Sequence, residues 1–271
     1  MKKITFFTAA MVSAMTTGMA TTFTSCTEAN NLKSSIKAEI DDNDAEDGVV
    51  VTQNRKVSKF TGIRIEGSPT VRFVQGDKFD VKVKGRKDLV DKIKTGVEGN
   101  TLIVSLKSKI SFSFFKNNRK QHMPVIYVTS PDLVGVELAG SGDFISDGPI
   151  DTDRLDIQLA GSGDVDFNGS IICDDLKVEL NGSGDVEIKD VESISSSLQL
   201  IGSGDIKVNQ KKVENTRVQL IGSGDIKVNF DNCRNVESSL AGSGDIMLKG
   251  HITGKLNKAK AGSGDYTIDL H

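Results

Sequence analysis

The chain has 271 residues, with 34 basic against 37 acidic side chains, no tryptophan, two tyrosines, 27 glycines and only four prolines. Charge this close to balance excludes the global basic field that attracts nucleic acid. Few aromatics and abundant glycine suit one elongated, strand-rich body.

At the N-terminus, Lys2 and Lys3 precede a mildly apolar stretch from Ile4 to Phe23 that is interrupted by several threonines and Ser13. It is too dilute for a transmembrane helix and adequate as an export signal. The stretch ends at Phe23-Thr24-Ser25-Cys26, which reads as the lipoprotein signal of a Gram-negative bacterium, with Phe where Leu is commoner. On that reading residues 1–25 form the signal and Cys26 carries the lipid. Conventional cleavage after Gly18-Met19-Ala20 is the alternative and leaves Cys26 a free thiol. Without residues 1–25 the chain has 32 basic residues (34 less Lys2 and Lys3) against 37 acidic ones, a net charge of −5. Residues 26–50 hold few apolar side chains and an acidic cluster at Glu39, Asp41, Asp42, Asp44, Glu46 and Asp47, the composition of a disordered tether.

Residues 51–130 read as an N-terminal β segment and cap. Strand alternation is visible over Phe60–Ile65, Val71–Val74, Phe79–Val83, Leu102–Leu106 and Val125–Val128, and Leu89, Val90 and Ile93 suggest one short helix. Gly67-Ser68-Pro69-Thr70-Val71 resembles a degenerate copy of a corner that dominates the rest of the chain.

In residues 131–271 the tetrapeptide Gly-Ser-Gly-Asp occurs seven times, beginning at Gly140, Gly161, Gly182, Gly202, Gly222, Gly242 and Gly262, at spacings of 21, 21, 20, 20, 20 and 20. A fixed period near twenty describes stacked supersecondary units, each touching only its neighbours. Two residues before the motif stand Leu138, Leu159, Leu180, Leu200, Leu220, Leu240 and then Lys260; four after it stand Phe144, Val165, Val186, Ile206, Ile226, Ile246 and Tyr266. Apolar, mostly β-branched residues at every second position on both sides of a glycine-rich corner spell strand, turn, strand. The expected fold is therefore all-β: a parallel β-helix, or β-solenoid, with rungs of about 20 residues. Stacking puts like on like, so the apolar columns run through the interior and Asp156, Gln158, Glu179, Gln199 and Gln219 face water. Cys173 and Cys233 share one position three rungs apart, about 14 Å at strand spacing, so two free thiols are expected.

Together, Phe60-Thr61-Gly62-Ile63, the Val81-Lys82-Val83 and Asn100-Thr101-Leu102-Ile103-Val104 strands and the Gly-Ser-Gly-Asp-hydrophobic repeats resemble the auto-transporter adhesin head GIN domain family, from about residue 57 to the C-terminus. The resemblance implies a right-handed β-helix and an envelope-exposed adhesin of the kind common among secreted proteins of Bacteroidetes.

Three features are candidates for chemistry or binding. The first is a column of carboxylates, Asp143, Asp164, Asp185, Asp205, Asp225, Asp245 and Asp265. Neighbours about 5 Å apart repel by roughly 1 kcal/mol in water, so something offsets the charge. Either each carboxylate accepts turn amides, or cations such as Ca²⁺ sit between rungs. One acid per twenty residues is a sparse ligand supply, and turn capping is preferred, with no cofactor expected. The second is the stretch carrying Lys109, Phe112, Phe114, Phe115, Lys116, Arg119 and Lys120 without an acid. It is either a ligand patch for glycans or anionic partners or a wet β-hairpin. The third is catalysis: polysaccharide lyases use β-helices, but His122, His251 and His271 look scattered and no groove-forming insertion interrupts the rungs. The expectation is a non-catalytic outer-membrane lipoprotein held to the membrane by its lipid. It would be displayed at the cell surface, where host or bacterial glycans or proteins are its partners. A periplasm-facing structural or sensory lipoprotein is the alternative.

Overall fold

The computed structural model describes residues 49–107 and 124–271. They contain strands β1 (Val50–Arg55), β2 (Gly62–Gly67), β3 (Thr70–Gln75), β4 (Asp80–Arg86), β5 (Ile93–Glu98), β6 (Thr101–Leu106) and β7 (Val125–Ser130), with one short helix, α1 (Lys87–Val90). The repeat region supplies β8 (Gly135–Gly140), β9 (Asp143–Ser146), β10 (Ile150–Asp151), β11 (Arg154–Gly161), β12 (Asp164–Ile172), β13 (Asp175–Gly182) and β14 (Asp185–Glu192). It continues with β15 (Ser195–Gly202), β16 (Asp205–Lys211), β17 (Asn215–Gly222), β18 (Asp225–Cys233), β19 (Asn235–Gly242), β20 (Asp245–Ile252), β21 (Leu256–Gly262) and β22 (Tyr266–Leu270).

These strands build a β-solenoid of about seven turns. One sheet runs β1-β4-β7-β3-β9-β12-β14-β16-β18-β20-β22, with β10 beside β12; the other runs β5-β6-β2-β8-β11-β13-β15-β17-β19-β21. From β8 onward every neighbour is parallel, and around the corner the register is the one that the motif predicts, so that Gly161 lies opposite Gly140 and Gly182, and Asp164 opposite Asp143 and Asp185; it shifts by one residue past Phe167, Ile188 and Phe230. The degenerate corner at Gly67 belongs to the same series: Gly67 pairs with Gly140 and Thr70 with Asp143.

The Leu column from Leu138 to Leu240 and the column from Phe144 to Ile246 are buried, and they belong to one continuous core that begins at Phe60. Near its N-terminal end Phe73, Phe144 and Phe167 follow one another, with ring centroids 6.2 and 5.5 Å apart. In the last coil Lys258 and Lys260 are exposed as their polarity requires; Lys258 Nζ lies 5.5 Å from the centre of the Tyr266 ring, and Lys260 pairs with Asp265 at 3.1 Å. Cys173 and Cys233 are buried free thiols. Burial pushes the Cys173 thiol up to about 12, with help from Asp175 and Asp174, and also raises that of Cys233. Thiols held protonated in this way are packing groups.

Both glycines of the corner are necessary, for different reasons. The first adopts a positive φ, +141° at Gly202 and +138° at Gly222, which strains any side-chain-bearing residue. The second sits under the preceding coil: a Cβ on Gly204 would lie 1.9 Å from the Gly184 carbonyl oxygen.

The N-terminal coils depart from chain order. β4 runs antiparallel to both β1 and β7, and β5 antiparallel to β6, so the β4-α1-β5 segment turns back over the end of the stack. Leu89, Val90 and Ile93 are buried there and close the core. Ile93, which the sequence grouped with the helix, opens β5 instead, and β1 precedes the first strand the alternation revealed. Gln53 donates to Asp91 at 2.7 Å and Lys107 Nζ to the Asp91 carbonyl at 2.8 Å, tying the turn after α1 to β1 and to the residue that follows β6.

Candidate interaction surface

The aspartate column forms a ladder between coils. The amide of Asp185 donates to Asp164 Oδ1 at 3.2 Å, Asp205 to Asp185 at 3.0 Å, Asp225 to Asp205 at 3.2 Å, Asp245 to Asp225 at 3.2 Å and Asp265 to Asp245 at 2.7 Å. At the first step Thr70 Oγ1 donates to Asp143 Oδ2 at 3.1 Å. The carboxylates thus accept amides, as turn capping requires, but each amide belongs to the next coil. A charge-assisted bond at each of the five steps from Asp164 to Asp265 offsets the repulsion along the column. Lys227 adds a cation, 3.3 Å from Asp225 and 3.9 Å from Asp205. Among the described residues no group of three or more His, Cys, Asp or Glu side chains is arranged to hold a metal ion.

Asp166 adds a further carboxylate to this face. Asp166 is half-buried beside Asp164 and lies opposite Glu187. Burial first, then Asp164, Glu187, Asp143 and Asp185, raise its carboxyl above the ordinary value of 3.8. A raised folded-state value means that protonation favours the fold: the stabilisation is complete below about pH 3.8 and lost as pH rises through the shifted value. Asp166→Asn is therefore expected to raise the melting temperature at pH 7 and leave it unchanged near pH 3, measured by thermal denaturation at both pH values.

Elsewhere the outer faces are laced by exposed cross-coil pairs such as Arg64 with Glu137 at 2.7 Å, Lys207 with Glu187 at 2.7 Å and Arg217 with Glu237 at 3.0 Å. Each exposed pair contributes little stability, about 0–1 kcal/mol; together they make the surface polar and of mixed sign. Over the starts of β15, β17 and β19 lies a shallow depression of about 420 Å³ lined by Ser195, Ser197, Asn215, Arg217, Asn235 and Glu237. Asn235 donates to Asn215 at 3.2 Å along its floor. This groove, lined by amides, hydroxyls and charged side chains, was not among the features singled out from the sequence.

Two of the sequence-derived sites, Cys26 and the segment with Lys109, Phe112, Phe114, Phe115, Lys116, Arg119 and Lys120, lie outside the described residues. The strands flanking that segment are described: β6 pairs with β2 and β7 with β3. Val104 of β6 lies opposite Ile65, and Val125 of β7 opposite Thr70. The histidines are less scattered than they looked, because His251 and His271 sit on adjacent coils with ring centroids 5.9 Å apart; His122 is outside the described residues. Among the described residues no group of three or more metal-binding side chains includes this pair.

Comparison with known proteins agrees with this architecture. No curated protein matches the chain. A "putative adhesin" from Bacteroides fragilis has a crystal structure that superposes with a TM-score of 0.71 at 27% identity, over 81% of this chain and 96% of that one. A "putative lipid binding protein" from Parabacteroides distasonis gives 0.66 at 28% identity over 82% and 97%. A "putative adhesin" from the same species, 15% identical, gives 0.63 over 83% and 98% and shares the fold. None of these descriptions is of an enzyme. The family model described as "Putative auto-transporter adhesin, head GIN domain" matches residues 59–251 and 190–269, so together with the coil register and the corner motif the chain is shown to belong to that adhesin family.

Proposed function

We propose that the protein is a non-catalytic, lipid-anchored adhesin or surface-interaction protein of the bacterial envelope. Cys26 carries the lipid, residues 27–48 form an acidic tether, and the solenoid presents its polar faces to glycans or proteins outside the cell. The observation that carries this reading is the likeness to the Bacteroides fragilis adhesin over nearly the whole of that chain. The basic start, the apolar stretch and Phe23-Thr24-Ser25-Cys26 support export and anchoring. A regular body whose outer faces are polar and carry a shallow groove suits presentation to a partner.

Protease shaving tests the location. Intact cells producing the protein with a C-terminal tag are expected to lose the tag on treatment, as lysed cells do. Protection in intact cells with digestion only after lysis would refute surface display and favour the periplasm-facing alternative. Metabolic labelling with a fatty acid tests the anchor: the wild type incorporates label and Cys26→Ser does not. Equal labelling of the two would remove Cys26 from the proposal.

A further inference from the structure

Residues 198–209 and 218–229, one coil apart, are identical at eleven of twelve positions. Repetition this close creates a hazard during folding. A coil that docks one place too far along meets the same side chains in the same columns, and the skipped coil is left as a loop whose closure costs little.

The core contains the feature that distinguishes these coils. In one sheet an inward column runs Ile150, Ile171, Val191, Gln210, Phe230. In the other sheet a column runs Leu155, Leu176, Ser196, Thr216, Val236. All ten residues are buried, and three of them are polar. Those three meet one another: Gln210 Nε2 donates to Ser196 Oγ at 2.7 Å within one coil, and Thr216 Oγ1 donates to Gln210 Oε1 at 2.6 Å from the next.

We propose that Ser196, Gln210 and Thr216 form a register key that admits only the correct neighbour at this point of the stack. If the coil of residues 215–233 docked on β13 and β14, Thr216 would face Leu176 and bury its hydroxyl without a partner. If the coil of residues 235–252 docked on β15 and β16, Val236 would replace Thr216 and leave Gln210 Oε1 without its donor. Only the native order pairs all three groups, and an unpaired buried polar group is costly where a pair of apolar ones is not. Buried polar residues fix register in coiled coils by the same logic.

The test uses the full chain, refolded from denaturant and pulsed with trypsin during refolding. A slipped species exposes Lys207, Lys211 and Lys212 on the expelled coil, whereas in the native fold Lys207 and Lys211 lie within β16. In the variant Ser196→Ala/Gln210→Leu/Thr216→Val the melting midpoint is expected to equal or exceed that of the wild type. Early cleavage at those lysines is expected to rise about tenfold, as loss of one mismatch penalty predicts. Wild-type levels of cleavage in that variant would overturn the proposal. Should it fail to fold, Phe230→Gln/Val236→Thr keeps the original three residues and copies the key one coil later. Cleavage is expected to rise there too, and an unchanged pattern overturns the proposal.

Discussion

Gly204→Ala is expected to lower the stability of the fold by about 3 kcal/mol or more, an effect out of proportion to one methyl group. A Cβ at this position would lie 1.9 Å from the Gly184 carbonyl oxygen and 3.0 Å from its carbon, and both atoms belong to backbone already fixed by the preceding coil. Neither coil can retreat without breaking the ladder hydrogen bonds on either side of the corner. Gly96→Ala provides the control: nothing lies within 4 Å of its added Cβ, and the change should stay within about 0.5 kcal/mol. Urea denaturation followed by far-ultraviolet circular dichroism separates the two. Equal midpoints for the two variants would mean that close stacking at the corner carries no stability.

Leu220→Asp is expected to cost about 4–5 kcal/mol or more. Leu220 is fully buried and stacked between Leu200 and Leu240. A carboxylate there has no cation or donor to meet, so it takes up a proton or forces the coils around it open. Because each coil touches only its neighbours, the damage should divide the molecule, with coils on either side melting in separate steps. Leu220→Ala, which leaves a void without a charge, should cost about 3 kcal/mol and keep one transition. A wild-type midpoint for Leu220→Asp would show that the leucine column contributes nothing.

Much of this architecture was legible because a twenty-residue period specifies which residues stack. The Leu column, the separated thiols at Cys173 and Cys233, the corner at Gly67 and the exposed Lys258 and Lys260 all follow from adding or subtracting one period. The His251–His271 contact also sits at that spacing and was within reach of the same rule. What the period does not encode is connectivity outside the repeat. Nothing in the alternation of Phe79–Val83 or in Ile93 shows that β4 and β5 run backwards over the end of the stack, because an antiparallel strand alternates like a parallel one. Nor does a motif reveal the other half of a contact. Asp185 announces an acceptor, but only the stacked coils show that the amide it holds belongs to Asp205. Ser196 and Gln210 read singly as ordinary polar residues, and they become a network only when two sheets bring their columns face to face.

The N-terminal end has a consequence for how the chain comes together. β2 and β3 are synthesised early, directly after β1, yet they end up inside the stack, covered on one side by β6 and β7 and on the other by β8 and β9. A polypeptide synthesised from its N-terminus therefore has its lid complete once β7 has emerged, before any Gly-Ser-Gly-Asp corner exists. From then on each further stretch of about twenty residues finds a finished template and leaves one behind it. Growth can proceed in a single direction, like courses of brick on a foundation.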